Sequence, residues 1–309
     1  MVLEMGSQVV DGGRPANALG SPGQLTARTA PSEGFRVLLS RVLLEVYLAE
    51  GKVAHRIHML KTIESTCRNG LRSILVPGAI RALRRRTARL NSLEESIQLA
   101  EEFNYLGIKI AAFQIRREIT GLLRLLAERP PRTLLEIGTA KGGTFFLFSR
   151  VATPDALLVS LDLRRGKFGG GYAPWQDRLY RSFAREQQRI ELVLGDSHRT
   201  ETFEQVKRLI QPRPLDFLFI DGDHSYEGVK ADFKMYSPLV HPHGLIAFHD
   251  IVPGTAKRVG GVPRFWQETK RRYRVSEIVA DWQQGGFGIG VIHGVAGGSE
   301  SPHQPDNRE

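Results

Sequence analysis

Between residues 133 and 293, short apolar runs alternate with amphipathic stretches, and this alternation constrains the fold more than any other feature of the chain. The runs are Thr133–Gly138, Leu157–Leu163, Ile190–Gly195, Asp216–Asp221, Gly244–His249, Val275–Ala280 and Phe287–His293. Apolar residues at helical spacing fill most of the gaps, over Gly143–Val151, Gln176–Gln188, Glu201–Ile210, Tyr226–Leu239 and Ala256–Arg272. A strand that is apolar at nearly every position must be covered on both faces, the condition of a mainly parallel sheet between helical layers. The pattern therefore predicts an α/β sandwich. Only a short turn near Ala280–Gly286 separates the last two runs, so those two should pair antiparallel.

The first third reads differently. Residues 1–34 are rich in Gly, Pro, Ala and Ser without apolar periodicity, the composition of a disordered leader. From Phe35, Leu38, Leu39, Val42, Leu43, Val46 and Tyr47 recur at helical spacing. Pro77-Gly78 is expected to break this series, with a basic helix after it. Another helix is expected from Ser92, where Ser92 and Glu95 have capping-box spacing, and a further one over Ile108–Ala127, stopping before Pro130-Pro131. The expected organisation is a leader over 1–34, a helical basic extension over 35–128, an α/β core over 129–294 and a flexible tail over 295–309.

Charge follows this division. The 309 residues carry 43 Lys and Arg against 33 Asp and Glu, a net +10. Residues 51–90 hold ten of the cations and only one acid, Glu64, with the densest block at Arg81-Ala-Leu-Arg84-Arg85-Arg86. Such a block suits nucleic acid, a phosphorylated substrate or an anionic membrane surface, or it is simply a solvated helix face. No aromatic residue interleaves it, as single-strand nucleic-acid binding requires. One cysteine, Cys67, excludes an internal disulfide framework and a cysteine-based zinc cluster. The start of the chain lacks a basic-then-apolar signal pattern, and no run reaches the ~18 apolar residues of a membrane span. The expected location is cytoplasmic, with contact at the inner membrane face through residues 51–90 as the peripheral alternative.

The stretch Glu136-Ile-Gly138-Thr139-Ala-Lys-Gly142-Gly143 ends one strand and opens a helix. That turn creates a site at the carboxyl edge of the sheet, where backbone amides and a helix N-terminus can meet a ligand. The glycine spacing is not that of a dinucleotide or phosphate loop, and the carboxylate of Glu136 suits a cationic or hydroxyl-rich ligand better than a pyrophosphate. Packing alone is the other use of such glycines. Downstream strands end in polar residues too: Asp162, which can accept ribose hydroxyls, then Gly195-Asp196-Ser197, then Asp221.

Taken together these residues resemble the class I S-adenosylmethionine (SAM) dependent methyltransferases. Glu136-x-Gly138-x-x-x-Gly142 is similar to the first motif of that superfamily, Asp162 to its ribose acid and Gly195-Asp196-Ser197 to its adenine-side turn. Phe219-Ile-Asp221-Gly-Asp223-His224-Ser-Tyr226-Glu, Asp232, and Gly244-Leu-Ile-Ala-Phe-His249-Asp250-Ile resemble the cephalosporin-hydroxylase-like and macrocin-type sugar O-methyltransferases. Gly261-Val-x-x-Phe265-Trp266 fits as well. The resemblance covers about residues 108–294. It implies a Rossmann-like seven-stranded methyltransferase sandwich, mostly parallel with the last strand antiparallel, preceded by an N-terminal helical extension. SAM is expected over Glu136, Gly138, Thr139, Gly142 and Gly143, with Asp162 on the ribose and Asp196 and Ser197 near the adenine.

Methyl transfer to a hydroxyl needs in-line alignment and removal of the acceptor's proton. Asp221, His224 and His249 are the candidate catalytic residues. Asp221, His249 and Asp250 are the candidate ligands of a divalent metal, magnesium or manganese. In the sugar-methylating relatives the matching positions are acids that hold magnesium, and His249 departs from that pattern; imidazole suits manganese, iron or zinc better. Asp223 is expected to cap the helix after it, and Tyr226 and Trp266 to pack. Arg164-Arg165-Gly-Lys167 and the glycines after it form either a lid or a plain solvent loop. The resemblance thus implies an O-methyltransferase acting on a hydroxyl of a sugar, glycolipid or secondary metabolite. Its partners would be a small-molecule or glycan acceptor and a second copy of the chain, and nucleic acid is not among them. The rival is a non-catalytic SAM-fold protein docked to a membrane or partner by its basic arm.

Overall fold

A computed structural model describes residues 69–164 and 170–294 of the chain. The expected leader and tail, residues 35–68 of the basic extension with the helical series from Phe35 to Tyr47, and most of the Arg164–Gly171 segment lie outside these residues. The first described element is helix α1, over 69–87. It runs straight through Pro77-Gly78, where a break was expected. Tertiary packing outweighs the local penalty: Val76, Ala79 and Leu83 are fully buried, and Gly78 leaves room for the Tyr105 ring. Helix α2 spans Leu93–Glu102, and Ser92 caps it by accepting the Glu95 N–H at 3.1 Å.

The helix expected over Ile108–Ala127 is shorter than its apolar pattern. Asn104–Tyr105 (β1) and Ile108–Lys109 (β2) instead form a small antiparallel hairpin, and helix α3 begins only at Arg116 and ends at Glu128. Asn104 Oδ1 accepts the Gly107 N–H at 2.9 Å, and Leu106 and Gly107 take positive φ. This local turn chemistry wins over a helical pattern that Ile108 and Ile110 merely extend by coincidence.

The main sheet then follows its expected course through β3 (Thr133–Ile137), α4 (Gly143–Val151), β4 (Leu157–Asp162), α5 (Pro174–Arg181), β5 (Arg189–Leu194) and α6 (Thr200–Ile210). It continues with β6 (Leu215–Ile220), α7 (Tyr226–Tyr236), β7 (Val240–His249), α8 (Ala256–Val259), α9 (Val262–Thr269), β8 (Val275–Ile278) and β9 (Ile289–His293). Spatial order is β5-β4-β3-β6-β7-β9-β8. The first five of these strands pair in parallel, and β9 is antiparallel to both of its neighbours. This is the Rossmann-like methyltransferase sandwich. The helix expected over Ala256–Arg272 is broken in two at Gly260-Gly261.

Side chains alternate between two apolar layers. Leu134, Leu158, Phe217, Phe219 and Val291 face α1 to α5, while Leu135, Val159, Leu218, Phe248 and Ile292 face α6, α7 and α9. Phe148 of α4 packs edge-on against Phe217 and Phe219, with centroids 5.1 and 5.3 Å away. Burying such a ring stabilises the layer by roughly 3 kcal/mol or more. Helices α1, α2 and α3 belong to the same apolar layer as α4 and α5, so residues 69–128 are part of one core with the sheet.

Candidate active site

Strand order reverses between β3 and β6, and that crevice at the carboxyl edge is where open α/β sheets bind ligands. Gly138 follows β3 and Asp221 follows β6. The Gly138 N–H bonds Leu161 O at 2.8 Å, the Asp221 N–H bonds Ile137 O at 2.9 Å, and a Cβ at Gly138 would collide with the Asp221 carbonyl. With φ at +94°, Gly138 is required by conformation and by space. Gly143 is crowded by the Ala111 backbone and donates its N–H to Ala111 O at 3.2 Å. The glycines of this turn are thus used first to bring the chain's own segments together.

Glu136 lies inside β3, fully buried, and its Oε2 has no hydrogen-bond partner among the described residues. Burial pushes its carboxyl well above the usual range; the Thr139 hydroxyl opposes this, and the charges of Asp221 and Asp162 add to it. Thr139 Oγ1 is 2.7 Å from Ser160 Oγ. An orphaned buried acceptor beside the turn is the feature that a cationic or hydroxyl-bearing ligand would complete.

Asp162 ends β4 as expected, but its carboxylate is already engaged. Oδ2 accepts the Ala140 N–H at 2.7 Å, and Oδ1 accepts those of Leu163 and Gly171 at 2.7 and 2.8 Å. Burial nevertheless raises its pKa against these three bonds. A carboxylate has about four acceptor directions, so Asp162 has one left in this arrangement. Holding both hydroxyls of a ribose requires one of these three N–H groups to give up its bond.

Asp196 and Ser197 form the turn after β5. Asp196 Oδ1 accepts the His198 N–H at 2.9 Å, and Ser197 O accepts the Tyr236 hydroxyl at 2.9 Å. His198 Nε2 sits 3.2 Å from Oδ1 of Asp232, a fully buried acid on α7. That contact lifts His198 to about 9 although partial burial opposes it. Asp232 in turn faces Gly222 on the next turn of the site. The pair joins the 196–198 turn to α7 and to the end of β6.

Four ionisable residues converge past β6 and β7. Asp221 Oδ1 lies 3.2 Å from His249 Nδ1 and 3.3 Å from His224 Nε2. His224 Nδ1 is 3.3 Å from Asp250 Oδ2 and 2.6 Å from Arg258 O. Burial would raise the Asp221 carboxyl, but the two imidazoles outweigh it and hold it below its ordinary value. Burial likewise opposes protonation of His224, yet Asp221 and Asp250 bring it up to about 9. His249 is raised for the same reason, against its burial. Asp250 is raised by burial and sits at φ +61°, held by the Phe287 N–H on Oδ1 at 2.7 Å. A non-glycine residue in that region costs about 1–3 kcal/mol and persists only where its surroundings impose it.

One donor atom each from Asp221, His224 and Asp250 falls within 4.8 Å of the others, the spacing of a metal-binding set. His249, which sequence reasoning grouped with Asp221 and Asp250, stands behind Asp221 with its Nε2 buried and unpartnered. His224 takes its place because the Gly260-Gly261 break cradles it: the Gly261 N–H donates to His224 O at 2.7 Å. Asp223 supports the α7 start by accepting the Ser225 N–H at 2.8 Å, while Ser225 itself is the cap. Tyr226 and Trp266 pack, their polar atoms bonded to Glu268 and Glu277.

Sequence reasoning missed three residues here. Gln114 donates to Asp221 Oδ2 at 3.3 Å and accepts from Thr144 Oγ1 at 2.6 Å. Glu118, fully buried on α3, accepts the N–H groups of Ala280 and Gly288 at 2.9 Å and the Gln284 amide at 2.7 Å. It thereby holds the 280–288 loop, which presents Phe287 to Asp250. The third is His198. For Glu118 a signal exists, since it interrupts the apolar stripe of its helix; for Gln114 and His198 there is none.

Residues 135–251 match the profile of a methyltransferase domain family. An uncharacterized protein of Sinorhizobium fredii is 29% identical over 144 residues, which is 45% of this chain and 15% of that protein. An uncharacterized protein of Acanthamoeba polyphaga mimivirus is 49% identical over 39 residues, 13% of this chain and 18% of its own length. The chain thus corresponds to less than a fifth of the length of either curated relative. Among solved structures, the O-methyltransferase TomG of Streptomyces achromogenes, in complex with SAM, aligns over 67% of this chain and 90% of its own, at 20% identity and a TM-score of 0.46. An O-methyltransferase of Bacillus cereus, in complex with SAH, aligns over 71% of this chain and 99% of its own, at 19% identity and the same TM-score of 0.46.

Proposed function

We propose that this chain is a SAM-dependent O-methyltransferase of class I, acting on a hydroxyl of a sugar, glycolipid or secondary metabolite. One observation carries the reading. The orphaned Oε2 of Glu136, the Asp162 carboxylate and the Asp221–His224–His249–Asp250 cluster are brought to one crevice at the β3/β6 reversal, within a segment that matches a methyltransferase domain. SAM supplies the methyl group as an electrophilic sulfonium. Glu136 and the 138–143 turn would hold its cationic end, Asp162 a ribose hydroxyl, and the Asp196–Ser197 turn its base.

The acceptor's proton is the remaining task. His224, at about 9, is protonated at neutral pH and is not a free base as it stands. Asp221 is ionised and nearly enclosed, but a carboxyl held below its ordinary value is a weak base, so it would accept a hydrogen bond from the acceptor's hydroxyl and orient it rather than take its proton. Two carboxylates and an imidazole also suit a divalent cation, manganese in preference to magnesium, which lowers the pKa of a bound hydroxyl. Binding it means releasing the His224 proton, so affinity should rise with pH.

Calorimetry with S-adenosylhomocysteine tests the reading, run with and without manganese or magnesium. Tight binding is expected, weakened about 10- to 100-fold in Asp162→Ala through loss of a charge-assisted hydrogen bond. No binding under any of these conditions overturns it. Binding without transfer to any hydroxyl acceptor would favour the non-catalytic rival. Chelation by EDTA should abolish turnover, and Asp250→Ala should reproduce that loss; full activity in chelator removes the metal from the account.

A further inference from the structure

Helix α1 carries a second feature, away from the crevice. Its inner face is Val76, Ala79 and Leu83, all buried. The opposite face repeats at three- and four-residue spacing through Ile74, Pro77, Arg81 and then Arg84 and Arg85. Ile74 is 77% exposed and Leu71, near it, 58%. Arg81, Arg84, Arg85 and Arg178 of α5 line one groove of about 590 Å³, with Pro77 and Ile80 among its apolar walls. The Trp175 Nε1–H donates to Asn69 Oδ1 at 3.2 Å, and Arg72 lies over the same indole at 5.4 Å, tying α1 to α5 along this groove.

None of the four arginines has a carboxylate within ion-pair distance among the described residues. The acids of neighbouring α2 are committed elsewhere: Glu94 to Arg124, Glu101 to Arg116, Glu102 to Arg86 and Glu95 to the Asn91 N–H. Like charges at three- and four-residue spacing on a helix repel, so Arg81 with Arg84 and Arg85 is unfavourable until an anion neutralises them. A soluble phosphate would satisfy the charge and leave Ile74 and Leu71 in water. A single-stranded nucleic acid would expect a stacking aromatic, and the aromatic beside this groove among the described residues, Trp175, is buried and already covered by Arg72. Exposed aliphatics followed by cations along one helix face are the pattern of a helix lying in a lipid headgroup layer.

We propose that the α1/α5 groove binds the phosphate headgroups of an anionic bilayer, with Ile74 and Leu71 entering the acyl boundary. Helix α5 also bonds the glycine turn, through the Tyr180 hydroxyl to Ala140 O at 2.9 Å. Docking would therefore set the bilayer on the flank next to the candidate cofactor site. The proposal stands independently of methyl transfer.

The test is co-sedimentation of the full chain with phosphatidylcholine vesicles, with and without phosphatidylglycerol. Binding is expected only to the anionic vesicles and should fall with salt. Each arginine near the surface contributes about fivefold, so the triple variant Arg81→Gln, Arg84→Gln, Arg85→Gln should lose on the order of a hundredfold. Ile74→Ser should weaken vesicle binding while leaving retention of glycerol 3-phosphate unchanged. Thermal melting and S-adenosylhomocysteine binding, measured on the same preparations, should match the unsubstituted chain. Undiminished vesicle binding by the triple variant overturns the proposal. So does complete displacement by glycerol 3-phosphate, which would make the groove a soluble-anion site. Binding to RNA or duplex DNA in preference to vesicles overturns it as well.

Discussion

Substituting His198 by Gln isolates one buried interaction whose pH dependence can be worked out in advance. His198 titrates at about 9 in the folded chain, because Asp232 lies 3.2 Å away and is itself wholly shielded from water. Unfolded, it would titrate near 6.5. A folded-state pKa above the unfolded one means that folding favours the proton. The stabilisation is fully present below about pH 6.5 and is lost as pH rises through about 9. The gap of roughly 2.5 units corresponds to about 3 kcal/mol at most, and nearer 2 because some of the imidazole remains in water. Urea unfolding of the unsubstituted chain and His198→Gln at pH 6 and pH 10 measures it. The variant should be less stable at pH 6, and the difference should shrink by about 2 kcal/mol at pH 10. A stability difference that is the same at both pH values would refute the reasoning. Since this pair also ties the 196–198 turn to α7, S-adenosylhomocysteine affinity should fall along with it.

Glu118→Ala should cost roughly 3 kcal/mol or more in urea unfolding, because two backbone N–H groups and the Gln284 amide lose their partner. Limited proteolysis should then cut within 280–288, and manganese affinity should drop as Asp250 loses its support; Glu118→Gln should restore part of both. Gly138→Ala forces a Cβ against the Asp221 carbonyl at a φ of +94°. It should destabilise the chain by about 2 kcal/mol or more and abolish S-adenosylhomocysteine binding in calorimetry.

The sheet was readable because its strands are buried on both faces, so their apolar runs survive as a pattern whatever the loops do. Thr133–Ile137 and Leu215–Ile220 are apolar for that reason, and the turn residues after them fall where the sheet's edge must be. Helix limits were less readable, since they depend on single tertiary contacts. Pro77 continues a helix because α1 is packed, and Gly260-Gly261 ends one because His224 needs its backbone there. The same holds for the cluster. Asp221, His249 and Asp250 stand next to strand ends and could be listed from the sequence. That His224 joins these three, with a donor atom within 4.8 Å of one on each acid, depends on a loop packed from more than thirty residues away. Gln114, a hundred residues before its partner Asp221, leaves no local trace at all.

The position of β9 has a consequence for biosynthesis. Last of the seven strands to leave the ribosome, it is inserted between β7 and β8 rather than added at an edge. Until residues 289–293 have been made, β7 and β8 have no common neighbour, and the 280–288 loop has no strand to lead into. Glu118, translated some 160 residues earlier, must wait buried-to-be and unpartnered for Ala280 and Gly288. A nascent chain paused anywhere in that interval exposes the edge of β7 and an unsatisfied acid, the state in which a chaperone would find it.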